Sequence, residues 1–381
     1  MKIRKSSQKR IPVSQPTLTA EDKAAVLNCL DLNYVSGDSP AVATFEENYA
    51  TVTGRKFGIA VANGSVALDV VLHGLNLEIG DEVIVPSFTI ASCLFAILRT
   101  GAKPVFVDVE EETWNMSIET ILPKVTESTR AILVVHIYGL SVDMDPILQL
   151  GQERSIEISE DSAEAHGVSY KGKSCGSFGL ASTFSFYANK AITSGEGGMV
   201  LTDEVELAKR IRSLRNLSFA APPARRFVHE EIGWNLRLSS MQAALGNSQL
   251  KRLPEIVNEK REIGLKYHRS LANCDGLRMQ ITETDYSKNM YWVVGVVLDK
   301  TINTQIVMSN LSDKGIDTRP FFYPLHKQPL LKKYQLDVQE SLPTSELIGN
   351  QGFYLPSFLG LSEDDIEYIC GELVESLVRC G

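Results

Sequence analysis

Between residues 57 and 202 one pattern recurs: a short, almost wholly apolar run, then a longer stretch with helical spacing. The runs are Phe57 to Ala62, Glu82 to Pro86, Pro104 to Val107, Ala131 to Ile137, Ser155 to Ser159, Ala181 to Phe186 and Met199 to Thr202. Strands this short and this continuously apolar are covered on both faces, so the alternation predicts an α/β fold with a mostly parallel sheet between helical layers. Upstream, Thr19-Ala-Glu-Asp22 carries a capping hydroxyl three residues before a carboxylate, which predicts a first helix carrying Ala24, Ala25, Val26, Leu27 and Leu30. Downstream, a long helical pattern starts near Ser239 and runs to about Leu271, with Pro254 as a kink or break. A strand at Tyr291 to Leu298, a helix near Thr304 to Lys314 and a final helix from Glu363 to Val378 then predict a smaller α+β domain. The expected division is an arm over 1–18, a large domain over 19–250 and a small C-terminal domain over 251–381.

Charge limits the partners. At 381 residues with a formal charge of −9, the chain has no general attraction for nucleic acid, and the basic cluster Lys2, Arg4, Lys5, Lys9 and Arg10 is only a short terminal arm. Any anionic ligand must be met locally, by a few Arg or Lys side chains and by helix N-termini. Cys29, Cys93, Cys175, Cys274, Cys370 and Cys380 form no CxxC pair, so free thiols in a reducing compartment are expected. With no apolar core of signal-peptide length and no stretch of eighteen uninterrupted apolar residues, a cytoplasmic protein without a membrane span is expected. No metal site is expected.

Three segments carry chemistry. Asn63-Gly-Ser-Val-Ala-Leu68 follows one apolar run and opens a helix, where free amides can hold a phosphate and Gly64 lets the backbone come close. The competing reading is a plain strand-to-helix turn. Ile158-Ser-Glu-Asp161-Ser-Ala-Glu164-Ala-His166 sets acidic residues at the C-terminal end of a buried strand, the edge where open α/β sheets bind ligands. A carboxylate there can pair with a protonated pyridine nitrogen; Asp161 as a helix N-cap is the alternative. His166 reads as a hydrogen-bonded structural imidazole. Ser182-Thr-Phe-Ser185-Phe-Tyr-Ala-Asn-Lys190, followed by Gly195-Glu-Gly-Gly198, places a lysine just past an apolar strand, where desolvation would lower its pKa and make its amine nucleophilic. Ser185 can reach a phosphate, and the glycine run lacks the spacing of a dinucleotide fold.

Taken together, these segments resemble the sugar aminotransferases of the DegT/DnrJ/EryC1/StrS family, whose architecture is the pyridoxal 5'-phosphate (PLP) dependent fold type I of aspartate aminotransferase. Gly80-Asp-Glu-Val-Ile-Val-Pro86, Gly101-Ala-Lys-Pro-Val-Phe-Val-Asp108, Val135-His-Ile-Tyr-Gly139 and Gly233-Trp-Asn-Leu-Arg237 extend the likeness from about residue 11 to the C-terminus. The resemblance implies Lys190 as the Schiff-base lysine, Asp161 as the partner of the ring nitrogen and Glu164 near the cofactor's 3-hydroxyl. It places Gly64, Ser65 and Ser185 at the phosphate. Asn235 matches an asparagine that reaches the phosphate from the other subunit, implying a homodimer with composite sites, and Arg237 could meet an anionic substrate group. The family usually sets an aromatic residue over the ring where this chain has Ile90, so either Ile90 packs there or Phe88 does; the ungapped register favours Ile90.

The resemblance also implies L-glutamate as amino donor, Lys190 as general acid/base and ping-pong kinetics. Ile11 to Thr19, Glu160 to Gly167, Ile192 to Met199 and Thr318 to His326 most resemble family members that aminate C4 of GDP-4-keto-6-deoxy-D-mannose, in surface polysaccharide synthesis. Acceptors on dTDP or UDP remain alternatives. Arg319, Tyr323 and His326 are candidate substrate contacts. A sugar 3-dehydratase of the same fold would carry histidine where this chain has Lys190, and a non-catalytic sugar-nucleotide binding protein would be expected to lose Lys190 or Asp161.

Overall fold

Each apolar run forms a strand. In the computed structural model, which describes residues 10–219, 225–336 and 339–380, β1 (Phe57–Val61), β2 (Glu82–Pro86), β3 (Lys103–Val107), β4 (Thr129–Val135), β5 (Glu157–Asp161), β8 (Ala181–Ser185) and β9 (Gly198–Thr202) make one seven-stranded sheet in the order β1-β9-β8-β5-β4-β2-β3. A two-stranded ribbon, β6 (Ser169–Tyr170) and β7 (Lys173–Ser174), interrupts the chain order. All neighbours in the large sheet are parallel except β9, which runs antiparallel to both β1 and β8. Lys2, Arg4, Lys5 and Lys9 lie outside the described residues, as does the Cys380 side chain.

The period of two along the strands divides the core. Val83, Val85, Leu133 and Val135 face one layer, while Ile84, Ile132 and Val134 face the other. The first layer holds α2 (Pro40–Thr53) and α4 (Ala91–Thr100); the second holds α6 (Met144–Arg154) and the short α5 (Ile118–Ile121). A third apolar cluster packs α3 (Gly64–Gly74) and α7 (Val205–Leu214) on β1 and β9. Each of these fully buried aliphatic side chains contributes about 1.5–3 kcal/mol relative to exposure.

Helix α1 (Ala20–Asp31) starts with the expected box: Thr19 accepts from the Asp22 amide while Asp22 accepts from the Thr19 amide. Of its apolar side chains Cys29 is buried, but the leucines are not. Leu27 is 57% exposed, and Leu30, Leu32, Tyr34 and Val35 are exposed beside it. Ser239 and Gln242 form a second capping box at α8 (Ser240–Leu250), and Pro254 sits in the first turn of a separate helix, α9 (Leu253–Leu271), where its missing N–H costs nothing. The proline therefore starts a helix and kinks none.

α9 spans two cores. Leu253, Ile256 and Val257 join the large one; Ile263, Tyr267 and Leu271 pack on a four-stranded antiparallel sheet, β10-β11-β13-β12 (Leu277–Met279, Val294–Leu298, Gly352–Leu355, Arg319–Pro320). α10 (Thr304–Asp313) and α12 (Glu363–Cys380) cover that sheet, and α11 (Pro343–Gln351) leads into β13. The described part of the arm is docked: the Ile11 amide donates to Gly315 O at 2.9 Å, Ile11 O accepts from the Asp317 amide, and Arg10 pairs with Asp317.

Candidate active site

Loops that follow the C-terminal ends of β1, β2, β5 and β8 leave the large sheet on one edge, and one cavity of about 650 Å³ lies among them. Asn63 to Val66, Thr89 and Ile90, Asp161 and Glu164, and Ser185, Tyr187, Asn189 and Lys190 line it, with Val135 from the end of β4. Parallel strands thus gather residues that are 127 positions apart, from Asn63 to Lys190. Trp292, Phe322 and Tyr354 from the second sheet's side close the cavity.

At one end lies an anion cradle. The Asn63 side chain caps α3 by accepting from the Val66 amide, which leaves the first-turn amides of Gly64 and Ser65 for a ligand. A Cβ on Gly64 would fall 2.7 Å from Ser185 Cβ, and one on Gly198 would fall 2.4 Å from Asn63 O, so the two glycines let β8, β9 and the helix start converge. Ser65 Oγ and Ser92 Oγ lie 2.7 Å apart, adding a third hydroxyl to those of Ser65 and Ser185. The amides and clustered hydroxyls fit a phosphate, and Asp69, which also lines the cavity, is paired with Arg99.

At the other end is an ionisable trio. Asp161 is buried at the tip of β5; its Oδ1 accepts from the Ala163 amide at 3.1 Å and its Oδ2 from the Cys93 thiol at 3.3 Å. No helix follows Asp161, so the N-cap alternative fails. Burial raises its pKa, which sets a premium on a cation opposite it. Glu164 Oε2 accepts from the Tyr138 amide at 2.9 Å, and burial pushes its carboxyl up to about 7. Lys190 Nζ stands 3.8 Å from Glu164 Oε1 and 3.7 Å from the centroid of the Trp292 ring. Burial lowers its pKa, against the pull of Glu164 and Asp161. The Trp292 indole N–H donates to Asn189 O at 2.8 Å, which ties the lysine turn to the small sheet's side. A desolvated amine facing a buried carboxylate across a cavity with an anion cradle fits a phosphorylated pyridine aldehyde.

Ile90 is 41% exposed and lines the cavity, whereas Phe88 is fully buried against Tyr138, Phe321 and Phe322. Of the two, only Ile90 faces the ligand space. His166 is neutral, its pKa lowered by burial to about 3, and both nitrogens are engaged, with the Tyr49 hydroxyl at 2.8 Å and with Ser185 O at 2.9 Å.

Other candidates lie elsewhere. His326 is buried away from the cavity lining, with Nδ1 2.5 Å from Ser87 Oγ and Nε2 3.2 Å from Glu346 Oε1. Arg319 and Tyr323 are exposed and outside the cavity lining. Asn235 is exposed, bridged to Asn216, and not at this chain's cavity. Arg237 bonds Asn216 Oδ1 at 2.5 Å in a separate cavity of about 530 Å³ that also exposes Arg212, Arg215 and Arg226. Sequence reasoning passed over Ser92, Cys93 and Trp292. Ser92 had a signal, a hydroxyl opening a helix after a buried strand; Trp292 had none.

Fold and site together define a PLP-dependent aminotransferase. Residues 16–374 match the DegT/DnrJ/EryC1/StrS aminotransferase family, and the chain belongs to that family. It is 39% identical to the GDP-perosamine synthase of Escherichia coli O157:H7, over 96% of this chain and 98% of that one. It is 36% identical to the GDP-perosamine synthase of Vibrio cholerae, over 94% and 97%. Among solved structures, the aminotransferase TlmJ from Streptoalloteichus hindustanus superposes with a TM-score of 0.90 at 30% identity, over 97% of this chain and 99% of that one. Among the described residues no helix is long and apolar enough to cross a membrane.

Proposed function

We propose that this enzyme moves the amino group of L-glutamate to C4 of GDP-4-keto-6-deoxy-D-mannose, giving GDP-perosamine for surface polysaccharide synthesis in the cytoplasm. The observation that carries the substrate is the 35–39% identity to three GDP-perosamine synthases over at least 94% of the chain. Bound PLP supplies an electron sink and carries the amino group between the two substrates. Lys190 would attach the cofactor and, once displaced, would take and return the proton at the reacting carbon; burial lowers its pKa against the pull of Glu164 and Asp161. Asp161 holds the ring nitrogen protonated. The Gly64 and Ser65 amides, with the Ser65, Ser92 and Ser185 hydroxyls, would hold the phosphate, and Ile90 would lie against the ring. The division into 19–250 and 251–381 is proposed on the two cores that α9 joins. The substrate test is amination of GDP-, dTDP- and UDP-linked 4-keto-6-deoxyhexoses with glutamate: the GDP sugar is expected to react with the highest kcat/KM, and preference for either other base would overturn the assignment.

We also propose a homodimer with composite sites. Two observations support it: the exposed apolar row Leu27, Leu30, Leu32, Tyr34 and Val35, and the position of Asn235 and Arg237 away from their own chain's cavity. A mixed dimer of Lys190→Ala and Asn235→Ala subunits would then collect both lesions in one site and leave the other intact. Activity above both parents is expected after mixing. An average of the two, with subunit exchange confirmed, would return Asn235 to its own chain.

A further inference from the structure

The side chain that contacts Asp161 from across the sheet is a thiol. Cys93 sits in the first turn of α4, wholly buried, and its S–H donates to Asp161 Oδ2 at 3.3 Å. The Thr89 hydroxyl lies 3.8 Å from the same sulfur, and Thr89 itself lines the cavity. With the Ala163 amide on Oδ1, each oxygen of Asp161 has one protein donor. A carboxylate held at both oxygens cannot swing about its χ2 axis, and each bond favours its charged form. Burial pushes the Cys93 thiol well above its ordinary pKa, so the proton stays on sulfur and the group remains a donor.

We propose that Cys93 is a positioning residue for the reaction: its thiol orients Asp161 toward the cofactor ring nitrogen and helps to keep that carboxylate charged. The inference rests on the proposed role of Asp161. Cys93 touches neither substrate nor cofactor in this account; it acts through the aspartate. A weak S–H donor to a charged acceptor in a dry site is worth roughly a 3- to 10-fold effect, well below that of the aspartate it supports.

Four variants separate hydrogen bonding from packing. Cys93→Ser keeps a donor, Cys93→Val keeps most of the volume without one, and Cys93→Ser/Asp161→Asn and Cys93→Val/Asp161→Asn remove the acceptor charge from each. The readouts are the dissociation constant for PLP and the pH at which the visible band of the loaded protein titrates. Cys93→Val should weaken PLP binding by roughly 3- to 10-fold and shift the band's titration in the same direction as Asp161→Asn, by a smaller amount. Cys93→Ser should stay within about two-fold of the parent, since O–H is the stronger donor. In the Asp161→Asn background the two Cys93 substitutions should be indistinguishable. If Cys93→Ser and Cys93→Val behave alike while Asp161→Asn shifts the band, the thiol is packing and the proposal is wrong. Should Asp161→Asn itself leave band and affinity unchanged, the reading of Asp161 fails and takes the proposal with it.

Discussion

Lys190→Ala is expected to fold normally and lose turnover by at least about 10⁴-fold, because one change deletes both the attachment point and the proton carrier. Folding should survive because the fold makes little use of the amine. Its neighbours are Glu164 at 3.8 Å and the Trp292 ring, and the turn is held by backbone instead, the Lys190 amide donating to Tyr187 O at 2.9 Å. Glu164, left without its cation, can take up a proton, since burial has already raised its pKa to about 7. Circular dichroism and steady-state release of 2-oxoglutarate check the two halves of the prediction. Retention of more than about 1% of the parent rate would contradict the role assigned to the lysine.

Asp161→Asn should still load with PLP, at weakened affinity, and slow the reaction by about 10²- to 10³-fold. Losing the charge costs the ring nitrogen about two to three pKa units of protonation, at about 1.4 kcal/mol each. PLP should remain because the cradle at α3 and Lys190 are untouched. The physical root is that a buried carboxylate with a raised pKa gains most from a cation placed against it, and a neutral amide offers no such partner. Cofactor content after dialysis and kcat for glutamate with the keto-sugar are the measurements; an unchanged kcat removes Asp161 from the mechanism.

What was legible beforehand followed local rules. Every apolar run between 57 and 202 became a strand, and placing Asp161 at the end of one followed from the run Ile156-Glu-Ile-Ser-Glu-Asp161 ending in charge. The Thr19 capping box was readable because capping is a three-residue interaction. What stayed hidden needed contacts of long range. His326 reads as a loop residue between Pro324 and Lys327, and nothing local reveals that Ser87, 239 positions away, occupies its Nδ1. Trp292 precedes a strand of the second sheet, where an aromatic residue is ordinary core; only the docking of that sheet against the lysine turn brings it to the amine. The choice between Ile90 and Phe88 was open because both follow the same strand, and burial separates them: Ile90 lines the cavity, while Phe88 is consumed by an aromatic cluster that includes Phe321 and Phe322 from the far domain. The exposed face of α1 shows the converse, a helix whose leucines Leu27 and Leu30 stay exposed among the described residues.

The most direct test of the central claim is the first half-reaction in isolation. Protein loaded with PLP, freed of excess cofactor and mixed with L-glutamate alone should lose its visible absorbance band and release one 2-oxoglutarate per subunit, then stop. Adding GDP-4-keto-6-deoxy-D-mannose should restore the band and yield an equal amount of aminated sugar, and Lys190→Ala should do neither. A band indifferent to glutamate, or 2-oxoglutarate formed equally well by Lys190→Ala, would contradict the account.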